Sequence, residues 1–275
     1  MSATPQADAK PRYEVRPGYE FPAAELTITP ERQRELHSFC DIPPERWGDR
    51  VDPTFLARYP IKVIGNALFA CHPERGYVHM VQRIRQFAPV RLGDTVAVRG
   101  RFTAVDPVPR GWMMKAVFDY RLPDGTHVMT VEPEALMADP ARMKPGERGP
   151  KPAAPAADDS GFAPLTRKEL TPEKVLGYCG DTDNKIHTDP DYAQRFGFRA
   201  PIAAGNQIIN FLLEAVALKE PPARLGIEMR FLRPVFWDET ITVAGRRGTD
   251  GALAELRAIK PDGRIASSAV LFPVA

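Results

Sequence analysis

Residues 89–101 follow a Pro-led, acidic turn with alternating apolar and polar side chains, the period-2 pattern of a half-buried strand. The pattern returns without a gap at residues 234–246: Asp94-Thr95-Val96-Ala97-Val98 is matched by Glu239-Thr240-Ile241-Thr242-Val243, an offset of 145. Other landmarks recur in the same order. Thr29-Pro30-Glu31 and Thr171-Pro172-Glu173 each open an apolar-periodic stretch with an N-cap threonine, a first-turn proline and an acid. Phe39-Cys40 is echoed by Tyr178-Cys179, and Asp52-Pro53 by Asp189-Pro190. Pro60-Ile61 through Gly65-Asn66 is echoed by Pro201-Ile202 through Gly205-Asn206. Asp124-Gly125 and Asp262-Gly263 mark equivalent turns between strands. Ordered recurrence of this kind marks a duplication.

Each copy reads as a strand, a helical region, a long helix and a set of strands joined by short turns. After Gly205, the residues Ile208, Ile209, Phe211, Leu212, Leu213 and Val216 leave a helix with little polar surface, so it belongs inside the protein. In an α+β protein that means wrapped by a sheet. Residues 1–22 are polar and Pro-rich and are expected to be flexible. Residues 23–137 form the first unit and 166–275 the second. The stretch 138–165 is rich in Pro, Ala, Lys and Asp and reads as a linker.

The chain has 275 residues, 43% of them hydrophobic and 26% charged, which suits a folded protein with a proper core. Its net charge is +2 with acids and bases interspersed, which argues against a nucleic-acid surface. No apolar run is long enough for a membrane span. Three cysteines without paired spacing indicate neither a disulfide scaffold nor a zinc site, and a cytoplasmic setting fits them best. His37, His72, His79 and His127 share no metal-ligand spacing and read as surface or core residues; no cofactor is expected.

Chemistry concentrates in residues 178–193, where Gly180, the Asp181-Thr182-Asp183-Asn184 cluster and His187 form a polar loop ahead of Asp189-Pro190. A carboxylate and an imidazole that reach one water can activate it at neutral pH. This stretch resembles the hydratase motif of the MaoC-like, (R)-specific 2-enoyl-CoA hydratase family, Gly-Asp-x-Asn-Pro-(Ile/Leu)-His followed by Asp-Pro. Residues 196–205 resemble the segment that leads into that family's central helix. The resemblance implies a double hot-dog fold, two curved antiparallel sheets each wrapped round a long helix.

It also implies reversible hydration of a 2-enoyl-CoA thioester to the 3-hydroxyacyl-CoA, as in fatty acid metabolism. His187 takes the position of the catalytic histidine and Asn184 that of the motif asparagine. Asp181 and Asp183 compete for the carboxylate, because Thr182 stands five residues before His187. Asp181 is preferred because it follows Gly180. Lys185 replaces the motif proline, and Ala204 stands where a histidine commonly precedes the helix glycine. Gly205, Ala204 and Asn206 are the implied substrate contacts, with a backbone N–H near Gly205 receiving the thioester oxygen.

In the first copy Arg50 falls opposite His187 and Asp49 beside it, so that unit is expected to be catalytically dead and to supply pocket walls. Arg83, Arg85, Arg230 and Arg233 are candidates for CoA phosphates. The expected partner is an acyl-CoA, with neither nucleic acid nor membrane, and association as a homodimer of double units or in a hetero-oligomer is possible. Two rival functions share the fold: an acyl-CoA thioesterase, and a non-catalytic acyl-CoA-binding partner subunit.

Overall fold

The computed structural model describes residues 13–142, 160–180 and 184–274. The first unit runs β1 (Ala24–Thr27), α1 (Pro30–Ser38), α2 (Pro53–Cys71), β2 (Gly76–Gln86), β3 (Thr95–Val108), β4 (Gly111–Arg121) and β5 (His127–Ala138). The second runs β6 (Phe162–Glu169), α3 (Pro172–Cys179), α4 (Pro190–Arg195), α5 (Gly205–Val216), β7 (Leu225–Phe231), β8 (Thr240–Arg247), β9 (Leu253–Ile259) and β10 (Ile265–Phe272). The strands make one sheet in the order β1-β3-β4-β5-β2-β7-β10-β9-β8-β6. The second half of that order mirrors the first, and antiparallel pairing of β2 with β7, from Val81↔Arg230 to Gln86↔Leu225, joins the two units. The apolar faces close on α2 and α5, where Leu68, Ile84, Ile209, Leu212 and Ile227 are fully buried. The fold is the double hot dog.

The duplication holds at the level of single hydrogen bonds. Thr29 accepts from the Arg32 N–H and Thr171 from the Lys174 N–H. Asp52 and Asp189 cap α2 and α4 by accepting from the Thr54 and Tyr192 N–H groups. Asp124 and Asp262 accept from the Thr126 and Arg264 N–H groups in matching turns.

The copies diverge at the central helix. In the first unit α2 runs unbroken for 19 residues through Pro60. Proline has no N–H to offer the carbonyl four residues back, and the Tyr120 hydroxyl fills that gap by donating to Leu56 O at 2.8 Å. In the second unit the matching stretch is split into α4 and α5, with residues 196–204 between them. Gly205 therefore starts a helix, whereas its counterpart Gly65 lies in the middle of one.

Side chains of the first unit staple the two copies together. Arg46 donates to Leu218 O at 3.1 Å and Arg50 to Pro221 O at 2.7 Å. From the other side Lys168 reaches Glu214 at 2.6 Å and also donates to Cys40 O and Asp41 O at the end of α1.

Two expected boundaries move. Residues 13–22 are packed, not loose: Phe21 is buried against Phe102 and Phe118, and Tyr13, Val15 and Tyr19 lie on the core. The second unit begins inside the expected linker, because Phe162–Glu169 pairs with β8. Only residues 162–165 of that strand fell in the expected linker; within the strand Lys168 is buried by its ion pair rather than by apolarity. Among the described residues no helix is long and apolar enough to cross a membrane.

Candidate active site

A cavity of about 540 Å³ opens between α2 and α5 and takes its walls from both units. The first unit contributes Arg58, Asn66 and Phe69 from α2 and Tyr77 and His79 from β2; the second contributes Asn184, His187, Gly205 and Asn206. Phe196, Phe198, Val235 and Phe236 supply apolar wall.

His187 ends a short 3-10 turn, Lys185–His187, that the chain enters through Asn184. Its Nδ1–H donates to Ile202 O at 2.8 Å, so the proton is on Nδ1 and the Nε2 lone pair is left for a ligand. Burial pushes its pKa down to about 4, helped by the Arg58 charge and opposed by the Ile202 carbonyl. At neutral pH the ring is an uncharged hydrogen-bond acceptor. Asn184 is buried, with its amide donating to Tyr77 O at 3.4 Å across the boundary between the units.

Gly205 is the first residue of α5, with Ala204 as an N-cap that has no side-chain hydrogen bond. The Gln207 and Ile208 N–H groups go to Ala204 O, and those of Gly205 and Asn206 have no acceptor inside the helix. Such amides, at the positive end of the helix, suit an electron-rich ligand. Side chain is excluded from this position: a Cβ on Gly205 would sit 2.7 Å from His79 Nδ1. Ala204, Gly205 and Asn206 all line the cavity, as do Asn184 and His187. Asp181 and Asp183 lie outside the described residues.

The first copy has none of this geometry. The amides around Gly65 are in the middle of α2, Asp49 pairs with Arg91, and Arg50 is turned to Pro221. His37 donates to the fully buried Asp52 at 3.0 Å, and Asp52 also accepts from Asn210 at 2.8 Å. These polar groups serve the core. Three of the arginines proposed for phosphates are occupied on the sheet: Arg83 and Arg230 pair with Glu228, and Arg85 with Glu132. Arg233 lines the cavity, with its guanidinium also donating to Ile265 O.

Sequence reasoning read His79 as a surface or core residue and did not single out Tyr77 or the cations Arg58, Lys62 and Arg110, all of which line the cavity. Strand alternation places Tyr77 and His79 on one face, but no local signal tells that this face meets the other unit's site.

Residues 159–257, which hold the candidate residues of the second unit, match the MaoC like domain family. Over 252 residues the chain is 25% identical to 3-hydroxyacyl-thioester dehydratase X of Mycobacterium tuberculosis, covering 88% of this chain and 85% of that protein. The crystal structure of HtdX from the same organism superposes with a TM-score of 0.72 at 22% identity, covering 92% of this chain and 99% of the other. The fold alone does not choose the chemistry, since a putative oleoyl thioesterase from Lactobacillus plantarum also superposes, with a TM-score of 0.54 at 14% identity over 92% of this chain and 95% of its own.

Proposed function

We propose that this protein adds water reversibly across a 2-enoyl thioester, giving the 3-hydroxyacyl thioester, with an acyl-CoA as substrate. The observation that carries this reading is the uncharged His187, its Nδ1 committed to Ile202 O and its Nε2 left with a lone pair, in a cavity lined also by Gly205 and Asn206 at the start of α5. Water is held between His187 Nε2 and the carboxylate of Asp181, with Asp183 as the second choice for that role. The water oxygen bonds to C3 as the carboxylate takes its proton. Negative charge that develops on the thioester oxygen is received by the Gly205 N–H, and the carboxyl group returns the proton it took from water to C2, which completes the addition. Dehydration runs the same steps backwards. Asn184 holds the loop against Tyr77 of the other unit. Lys62 and Arg110, both exposed, and Arg233 are the cations placed to meet the carrier's phosphates.

The likeness to the mycobacterial dehydratase supports the reaction class. Crotonyl-CoA and its longer homologues test it: loss of conjugated-enoyl absorbance without thiol release is expected. His187→Ala lowers kcat/KM by about a hundredfold or more, the scale of a lost general acid–base group. Thiol release from a saturated acyl-CoA establishes a thioesterase instead. Tight binding without turnover, unchanged in His187→Ala, establishes a binding subunit.

A further inference from the structure

The cavity wall holds polar atoms that the hydration chemistry leaves unused. Tyr77 and His79 stand two residues apart on β2, so both side chains point to the same face, and both line the cavity. The Tyr77 ring faces Gly65, where an added Cβ would meet it at 3.7 Å, and its hydroxyl is buried without a hydrogen-bond partner. The His79 ring packs on Phe231, and its Nε2–H is committed to Val81 O at 3.1 Å. That bond fixes the tautomer. Nδ1 therefore carries a lone pair; it is buried, has no partner and sits against Gly205. Burial brings the pKa of His79 down to about 4, against the opposing effects of Gln82 and Val81, so the ring stays uncharged at neutral pH. Asn206, only 5% exposed, lines the same cavity with its Oδ1 unpartnered.

Buried polar atoms in folded proteins nearly always find a partner, and bare ones cost free energy that a fitting ligand recovers. Here the set is one hydroxyl donor and two acceptors. An apolar acyl tail would leave all three unmet, and a phosphate or carboxylate would meet two lone pairs. A secondary amide answers them, because its carbonyl accepts from a hydroxyl and its N–H donates to an acceptor. His79 touches the same glycine whose N–H is proposed to receive the thioester oxygen, so the amide lies close to the thioester carbon.

We propose that Tyr77 and His79, with Asn206, form a subsite for a secondary amide on the thiol arm of the substrate, two methylenes from sulfur as in pantetheine. This rests on the reading of the ligand as a thioester. The Tyr77 hydroxyl donates to the amide carbonyl, and His79 Nδ1 or Asn206 Oδ1 accepts its N–H. The first unit thereby recognises the carrier arm while the second performs the chemistry.

The test titrates the full-length protein with butyryl-pantetheine and with its analogue methylated on the amide nitrogen nearest sulfur. Both are saturated and cannot be hydrated; hydration of crotonyl-pantetheine is measured alongside. Methylation is expected to weaken binding to the wild type about tenfold or more, the scale of leaving a buried acceptor unpaired. His79→Leu is expected to weaken butyryl-pantetheine to a similar extent and to bind the two ligands equally. Equal binding of the pair by the wild type, with crotonyl-pantetheine still hydrated, overturns the subsite alone and needs no variant to fold. Discrimination that survives in His79→Leu overturns the role of His79. Neither binding nor hydration overturns the subsite and the thioester reading together.

Discussion

Gly205→Ala is the perturbation whose outcome the structure specifies most closely. The backbone there is ordinary helix start, so alanine meets no torsional objection, and in an empty environment it would stabilise the protein by about 0.4–1 kcal/mol through the unfolded chain. The environment is not empty. The new Cβ would lie 2.7 Å from His79 Nδ1, 3.3 Å from Cγ and 3.4 Å from Cβ. His79 cannot retreat easily, with Phe231 at 4.6 Å between ring centroids and Val81 O holding Nε2. Overpacking of this kind costs about 1–3 kcal/mol, which outweighs the gain. Net destabilisation of about 1–2 kcal/mol follows for Gly205→Ala in the wild type. In a His79→Ala background the obstacle is gone, and the same substitution becomes neutral or stabilising by up to about 1 kcal/mol. Urea denaturation of the four proteins of this cycle, followed by fluorescence and circular dichroism, measures the change in sign. Under the same clash the first amides of α5 shift, and displacement by about 1 Å costs on the order of a hundredfold in kcat. A Gly205→Ala cost that is the same in both backgrounds refutes the argument.

Other expectations bear on charge and acidity. With His187 lowered to about 4, kcat/KM for hydration stays level as pH falls from 7 to about 5, and its acidic limb lies nearer 4 than 6.5; a limb at 6.5 in the pH–rate profile contradicts the site geometry. His79 and His187 are both lowered from 6.5 to about 4, so the unfolded chain binds protons that the folded one refuses. The stability they support is complete above about pH 6.5 and is lost as pH falls toward 4, with a slope of about 1.4 kcal/mol per pH unit for each ring. Denaturation midpoints across that window should flatten in a His79→Gln/His187→Gln double variant. Lys168→Met leaves Glu214 buried without its cation and is expected to cost about 3–5 kcal/mol, whereas the added change Glu214→Leu recovers much of it; thermal unfolding compares the three proteins.

The linear pattern of this chain was enough to establish a duplication, because strand alternation, helix caps and Asp-Gly turns are local devices written within a few residues. It also located the loop carrying Asn184 and His187 and the glycine that starts α5, since these too are signalled by neighbours in sequence. The divergence of the copies was half legible: the absent histidine of the first copy could be seen. The unbroken α2 could not, because its continuity through Pro60 depends on a hydroxyl from Tyr120 that only the folded sheet delivers. Tertiary structure alone decided where His79 sits. It stands 126 positions from Gly205, and pairing of β2 with β7 brings them into contact. The same holds for Lys168, which is buried with Glu214 and with two carbonyls from the other unit. Hydrogen-bond partners within a turn are set by spacing, whereas partners across the seam between units are set by sheet register, and register is a property of the whole fold.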